Sequence, residues 1–303
     1  MTLWSEQDSN PLQDIRDFLA WERAKPYEPT YERHRMKTRM IAVFSGGLDS
    51  TTMVYHMLND GCEVDLVSFD YGQRHGKELI YAKETAKQLG LRHDIVDLTN
   101  LTHLISNSAL TSATTVPATG STFDVIEVPD GHYAEETMKA TVVPNRNMIM
   151  LSIAAGIAVN RGANFVATAV HAGDHFIYPD CRPVFIESVS KTVYYGNEGF
   201  GDFISPINAV NAPFIHWSKE EIAYRAIQLG VPFHMTWSCY KGSEKHCGRC
   251  GTCVERLEAI DKAIGQINAN FHTRGGAHEY VQIDKTEYED TKFWRTAVKE
   301  AKQ

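Results

Sequence analysis

The chain has 303 residues, 43% of them hydrophobic and 22% charged, an ordinary globular composition that excludes a disordered chain, a collagen-like fibre and a disulfide-stapled miniprotein. A formal net charge of −8 argues against bulk electrostatic binding of nucleic acid. The longest apolar stretch, residues 148–159, is interrupted by Ser152 and Gly156 and is too short to span a bilayer, and the first ten residues, MTLWSEQDSN, carry no secretory signal, so the expectation is a soluble cytoplasmic chain with no membrane partner.

Residues 1–38 read as an extension: Leu12, Ile15, Leu19 and Trp21 suggest a weak amphipathic helix, and the stretch KPYEPTYERHRMK resembles a linker. At Arg39 the character changes. Residues 40–44 predict a buried strand, Ser45-Gly46-Gly47-Leu48-Asp49-Ser50 interrupts it, and a helix follows with Met53, Val54, Met57 and Leu58 on one face. Residues 63–69 predict a second strand, 70–75 a polar turn, 77–89 a helix and 93–98 a third strand. This alternation predicts a parallel sheet with right-handed crossovers. Residues 106–136 are rich in Ser, Thr and Ala without periodicity, which is expected of a functional lid. An apolar helix over 145–160 and a fourth strand over 164–170 come next. Ser218 and Glu221 form a capping box for a helix that Gly230 can stop. A helix near 254–264 precedes a charged, aromatic tail, residues 266–303.

Three constellations carry chemistry. The first is Ser45-Gly46-Gly47-Leu48-Asp49-Ser50-Thr51 between a buried strand and a helix. Glycines permit close backbone approach, the helix start presents unpaired N–H groups and its positive dipole end, and the hydroxyls add donors: the requirements of a phosphate cradle. Asp49 suits such a place if a Mg²⁺ ion lies between it and the phosphates. The bland alternative is a Gly-Gly turn with Ser50 as a helix cap. Neither G-x-x-x-x-G-K-[ST] nor G-x-G-x-x-G occurs.

The second is Cys239-x₇-Cys247-x₂-Cys250-x₂-Cys253, four of the six cysteines of the chain. Thiolates at this spacing close a tetrahedral Zn²⁺ site with no open position, hence a structural one. The competing readings are an iron–sulfur cluster and a site in which His246 replaces one thiolate. The third is the pair Val143-Pro144-Asn145-Arg146-Asn147 and Tyr178-Pro179-Asp180-Cys181-Arg182, at strand edges where open α/β sheets collect ligands. Arg146 and Arg182 suit carboxylate or phosphate recognition, and Asp180 could accept hydrogen bonds from a guanidine-like ring edge. Taken singly, each residue also fits a surface ion pair or a cap.

The hexapeptide resembles the S-G-G-x-D-S signature of the PP-loop ATP pyrophosphatases, a family that grips the β,γ-pyrophosphate of ATP and transfers AMP to a substrate oxygen. Together with Phe69-Asp70-Tyr71-Gly72-Gln73-Arg74-His75, Pro144-Asn145-Arg146-Asn147, Tyr178-Pro179-Asp180-Cys181-Arg182 and the cysteine cluster, in that order, residues 39–262 resemble the QueC family. The resemblance implies a doubly wound parallel α/β sheet of about five strands with helices on both faces, plus a small C-terminal zinc-binding lobe. The implied division is an extension (1–38), a PP-loop ATP-binding domain (39–215), a helical zinc lobe (216–265) and a tail (266–303).

It also implies ATP-dependent conversion of 7-carboxy-7-deazaguanine and ammonia to the 7-cyano product through adenylated carboxylate and amide intermediates, in queuosine or other deazapurine biosynthesis. The implied cofactors are ATP, Mg²⁺ and Zn²⁺, the implied assembly is a homodimer, and no direct nucleic-acid partner is expected. By carry-over, Ser45, Gly46, Gly47, Leu48, Asp49, Ser50 and Thr51 hold ATP and its Mg²⁺, with Ser45, Asp49, Ser50 and Arg146 as catalytic candidates. Arg74, His75, Arg146, Asp174, Asp180 and Arg182 are the substrate-side candidates, and Cys239, Cys247, Cys250 and Cys253 the metal ligands. Cys181 reads as a structural or lining residue, since the adenylation route needs no covalent thiol. Where family members often carry Cys-Glu-Thr-Asp-Phe-Ser-Gly, this chain has His171-Ala172-Gly173-Asp174-His175-Phe176-Ile177, whose histidines read as buried or lining. That departure sustains two alternatives: an amide ligase using another amine, and a non-catalytic zinc-stabilised nucleotide-binding module.

Overall fold

The computed structural model describes residues 38–73, 76–104, 108–111, 127–134, 138–198, 200, 206–242 and 245–273, all within one compact unit, Lys37–Gln303. The expected N-terminal helix, most of the expected lid and the tail beyond 273 lie outside the described residues.

Five strands, β1 (Arg39–Val43), β2 (Glu63–Asp70), β3 (His93–Asp97), β4 (Phe165–Ala167) and β5 (Val210–Asn211), form one sheet in the order β3-β2-β1-β4-β5. Every pairing is parallel. Both faces are covered, and the alternation of side chains along β1 shows how. Met40, Ala42 and Phe44 face one core with Val64 and Leu66 of β2 and Phe165 of β4; Ile41 faces the other with Val67 and Val166. The register matches this, since Met40 lies beside Val64 and Phe165, and Ile41 beside Val166. Met40 and Ile41 are fully buried, each worth about 1.5–3 kcal/mol relative to exposure.

On the first face lie α1 (Leu48–Asn59), α2 (Lys77–Leu89) and α5 (Lys219–Gln228), which contribute Met53, Val54, Ala82, Ala86 and Ile222. On the second lie α3 (Arg146–Asn160) and α4 (Pro183–Gly196), contributing Leu151, Ala154, Ala158, Ile186 and Val189. Local chemistry sets the helix ends. Gly90 closes α2 at φ 65°, with Leu91 N–H on the Ala86 carbonyl at 3.0 Å. The expected capping box opens α5: Glu221 N–H donates to Ser218 Oγ at 3.2 Å and Ser218 N–H to Glu221 Oε2 at 2.7 Å.

α6 (Gly251–Thr273) starts earlier and ends later than expected. The sheet has the five strands expected, but neither helix α4 nor the position of the two-residue β5 is among the elements read from sequence. No described helix is long and apolar enough to cross a membrane.

The strand order reverses between β1 and β4, on whose far sides the chain builds in opposite directions. Open α/β sheets bind ligands beyond the strand C-termini at such a switch point. Both loops that leave it carry expected site residues: Ser45–Thr51 after β1, and His171 and Asp174 after β4. The opposite end of the sheet is closed by side-chain ion pairs. Asp65 accepts from Arg39 at 3.1 Å and from Arg161 at 3.3 Å, and Arg161 reaches Asp94 at 2.6 Å.

Candidate active site

A cleft of about 250 Å³ opens at the switch point, bordered by the loop after β1, the β4 exit, the starts of α2, α3, α5 and α6, and the segment 237–240. In the loop, Gly46 has φ +81°, and a Cβ there would lie 2.6 Å from the Glu78 carbonyl and 2.7 Å from Ala82 N, so only glycine lets α2 sit against the loop. A hydroxyl relay fixes the rest. Gly47 N–H donates to Ser45 Oγ at 3.1 Å, Ser45 and Ser50 hydroxyls meet at 3.0 Å, and Ser50 Oγ donates to the Gly47 carbonyl at 3.3 Å. Gly47 is the N-cap of α1 and brings no side-chain acceptor, so the first N–H groups of the helix are left for a ligand.

Asp49 is the centre of a charged cluster. Lys219 Nζ, at the start of α5, donates to its Oδ2 at 2.6 Å and lies 3.4 Å from Glu255 Oε2 of α6. His171 Nε2 lies 3.9 Å from Asp49 and 3.6 Å from Asp174. His171 Nδ1 accepts from Gly173 N–H at 3.1 Å, which puts the ring proton on Nε2, facing both carboxylates. Burial pushes the Asp49 carboxyl up, but Lys219 and His171 outweigh it and hold the group below its ordinary value. It is therefore an anion at neutral pH. Asp49 Oδ1 and Thr51 Oγ1 are nevertheless buried without a hydrogen-bond partner. A carboxylate oxygen held charged and unpaired fits a divalent cation beside phosphates.

The structure brings together Ser45, Gly47, Leu48, Asp49, Ser50, Arg146 and Asp174 on the cleft wall. Asp174 also accepts from Tyr133 Oη at 2.8 Å. Arg146 stands at the start of α3, its guanidinium 5.9 Å from the Tyr178 ring. It follows Asn145, the one described non-glycine residue with positive φ, at 58°. Asp180 and Arg182 do not line the cleft. Asn147 N–H donates to Asp180 Oδ2 at 3.0 Å and Asn147 Nδ2 to the Asp180 carbonyl at 3.1 Å, so Asp180 pins the first turn of α3. Exposed Arg182 donates to the His175 carbonyl at 2.8 Å. Cys181 is buried and accepts from Asn147 Nδ2 at 3.3 Å, and burial raises its thiol well out of the nucleophilic range. His171 is buried and His175 half-buried, as read from sequence. Arg74 and His75 lie outside the described residues.

Sequence reading missed Lys219, Glu255, Glu78 and Tyr133. The signal available for Lys219 was its place directly after Ser218 in the capping box, which fixes it at a helix start.

The four sulfurs of Cys239, Cys247, Cys250 and Cys253 lie within 4.8 Å of one another. Cys247 and Cys253 sulfurs are 3.8 Å apart, too far for a disulfide. It equals the edge of about 3.8 Å expected for a tetrahedron with metal–sulfur bonds of about 2.3 Å. Backbone N–H groups of Lys241 and Cys247 point at Cys239 Sγ, and those of Arg249 and Cys250 at Cys247 Sγ, all at 3.3–3.4 Å. Such donors stabilise thiolates, so the donor set fits a metal ion. The His246 ring instead stacks on Trp237 at 4.1 Å, and its Nε2 accepts from Ser238 N–H at 3.2 Å, leaving the thiolates as the complete set. This centre is tied to the cleft. Trp237 N–H donates to the Gly46 carbonyl at 3.0 Å, Cys239 and Tyr240 line the cleft wall, and buried Arg256 clamps the connecting segment through Thr236 Oγ1 at 2.6 Å and the Phe233 carbonyl at 2.7 Å.

Residues 39–264 match the family model described as queuosine biosynthesis protein QueC. The chain is 48% identical over 263 residues, 87% of its length and 98% of the relative's, to the 7-cyano-7-deazaguanine synthase of Brucella anthropi. It is 48% identical over 259 residues, 86% of its length and 96% of the relative's, to that of Allorhizobium ampelinum. Among solved structures it is similar to NMN synthetase from Francisella tularensis, with 11% identity, a TM-score of 0.40, and 98% of this chain and 97% of that one covered, a likeness too remote to assign anything here. The family match and the near-full-length relatives, coinciding with the loop, the cleft and the cysteine centre, make this chain a member of the QueC family.

Proposed function

We propose that the chain converts 7-carboxy-7-deazaguanine, ammonia and ATP to 7-cyano-7-deazaguanine. The observation that carries the proposal is the S-G-G-x-D-S loop at the switch point of a QueC-family chain, facing Arg146 across one cleft. A carboxylate is a poor electrophile because its leaving group would be oxide. Transfer of AMP to that oxygen gives a displaceable group, ammonia yields the amide, and a second activation of the amide oxygen followed by its loss yields the nitrile.

In this reading the loop from Ser45 to Thr51 holds the triphosphate with backbone N–H groups, which stabilise charge developing on the phosphates. Lys219, fixed by two carboxylates, adds a preorganised positive charge. Asp49, with its unpartnered Oδ1, would hold Mg²⁺, which would supply charge screening between the phosphates and the carboxylate. Arg146 orients the substrate carboxylate toward the α-phosphorus, supplying proximity. Asp180, through Asn147, and Arg182, through the His175 carbonyl, act as positioning residues. Cys239, Cys247, Cys250 and Cys253 would hold zinc, which with no open position would supply a cross-link between the 237–240 wall and α6. The domain division at 215/216 follows the same reading, with the metal lobe beginning near α5.

The test is incubation of the purified protein with 7-carboxy-7-deazaguanine, MgATP and ammonium, followed by mass spectrometry. The nitrile, with AMP and pyrophosphate, is expected. Accumulation of the amide alone would favour an amide ligase, and absence of turnover with Asp49→Ala behaving as wild type would favour a binding module.

A further inference from the structure

Among the described residues, four carboxylates line the cleft: Asp49, Glu78, Asp174 and Glu255. Three are engaged. Asp49 and Glu255 share Lys219, at 2.6 and 3.4 Å, and Asp174 accepts from Tyr133 Oη at 2.8 Å and pairs with His171 at 3.6 Å. Glu78, in the first turn of α2, makes no hydrogen bond or ion pair with any described side chain. Arg146, Tyr71 and Tyr240 face it and feel its charge. Its position is fixed independently of its side chain, because its own carbonyl packs where a Gly46 Cβ would stand. Asp180, the acceptor suggested by sequence for a guanidine-like ring edge, is held by Asn147 away from the cleft. Among the described residues the cleft therefore has one uncommitted acceptor carboxylate, with Tyr71 and Tyr240 in the same lining.

We propose that Glu78 is the specificity-determining residue of this cleft, its two carboxylate oxygens accepting the ring N1–H and the 2-amino N–H of the deazaguanine. The inference rests on the substrate reading above. Two adjacent, parallel donors on a planar heterocycle match a carboxylate in bidentate fashion, and Tyr71 and Tyr240 line the same cleft, aromatic residues of the kind that pack against a bicyclic ring. An adenine-type edge places an acceptor at N1 and is rejected by the same oxygens. Burial raises the Glu78 carboxyl to about 7, against the opposing effect of Arg146. Two substrate N–H donors favour the charged form on binding.

Isothermal calorimetry on the full chain, with 7-carboxy-7-deazaguanine and its analogue lacking the 2-amino group, tests the proposal. Wild type is expected to bind the analogue roughly 10- to 100-fold more weakly, the loss of one hydrogen bond to a charged acceptor. Glu78→Gln keeps an acceptor for N1–H but turns an amide N–H₂ toward the 2-amino group. It should weaken the amino-bearing ligand and bring the two affinities within about threefold. The KM for ATP should not change. Equal binding of both ligands by wild type overturns the proposal without any variant. So does unchanged discrimination in Glu78→Gln, including the case in which only kcat falls and a pH limb near neutrality disappears, which assigns Glu78 to proton transfer. If wild type discriminates through Glu78 yet forms no nitrile, recognition stands and the proposed reaction falls; if it binds neither ligand, both fall.

Discussion

Gly46→Ala isolates the part of the loop that depends on backbone alone. The native φ of +81° is left-handed, which costs an alanine about 1–2 kcal/mol. The new Cβ would stand 2.6 Å from the Glu78 carbonyl and 2.7 Å from Ala82 N. Both are backbone atoms of α2, so no side-chain rotation relieves the overlap; the helix must move, at a further cost of about 1–3 kcal/mol. The sum, roughly 2–5 kcal/mol, is a large part of a typical stability of about 5–15 kcal/mol. Moving α2 also disturbs Glu78 and the Trp237 N–H bond to the Gly46 carbonyl, so nitrile formation should fall with stability. Gly47→Ala is the control: its φ is −77°, and the nearest atom to its Cβ is the Ser45 hydroxyl at 3.1 Å, a side-chain atom. It should cost less than about 1 kcal/mol, within the range of ordinary substitutions. Urea unfolding followed by circular dichroism gives both numbers. A Gly46→Ala midpoint indistinguishable from wild type, or a Gly47→Ala loss as large as that of Gly46→Ala, would refute the packing argument.

Stripping the metal with a chelator should lower the melting temperature and the rate of nitrile formation together, because the thiolate loop carries Cys239 and Tyr240 of the cleft wall; full activity in protein verified metal-free would sink this. Lys219→Met leaves Asp49 and Glu255 facing each other without a cation and should destabilise by about 3–5 kcal/mol while raising the KM for ATP, measured by urea unfolding and steady-state kinetics. Glu78 has an ordinary value of 4.5 and is raised to about 7 in the fold. The native state therefore holds the extra proton between these values, and the contribution of Glu78 to stability declines as pH rises through that window. Glu78→Gln should then be more stable than wild type above pH 7, by up to about 3 kcal/mol. The gap should close below pH 4.5, the ordinary value of the group. Stability curves that stay parallel from acid to neutral pH would contradict it.

The fold was legible wherever periodicity and punctuation agreed. Residues 77–89 carry an apolar face bounded by Gly76 and Gly90, and α2 covers those residues. Ser218 and Glu221 announce their helix by hydrogen bonds local to four residues. Helix α4 was readable in principle, since Ile186, Val189, Ser190 and Val193 follow helical spacing and are its buried residues. It follows directly on Tyr178-Pro179-Asp180-Cys181-Arg182, a polar segment that breaks the apolar pattern just before the helix begins. Strand β5 has two residues, too few to show a period of any kind.

The candidate site divides along a similar line. Contiguous parts, the loop and the cysteine cluster, carry their chemistry in spacing and were visible. Lys219, Glu255 and Glu78 were not, because each is a charged residue in the first or second turn of a helix, where a solvated helix end is the ordinary explanation. What converts them is the switch point, which gathers the starts of α2, α5 and α6 around the loop after β1. The Trp237 N–H bond to the Gly46 carbonyl then joins the loop to the strand of chain leading into Cys239. One backbone carbonyl therefore joins the loop after β1 to the approach to the cysteine cluster. Under the proposed function, a metal held there with no open coordination position would still bear on catalysis, by setting where Gly46 and the N–H groups of the loop stand relative to Arg146 and Glu78.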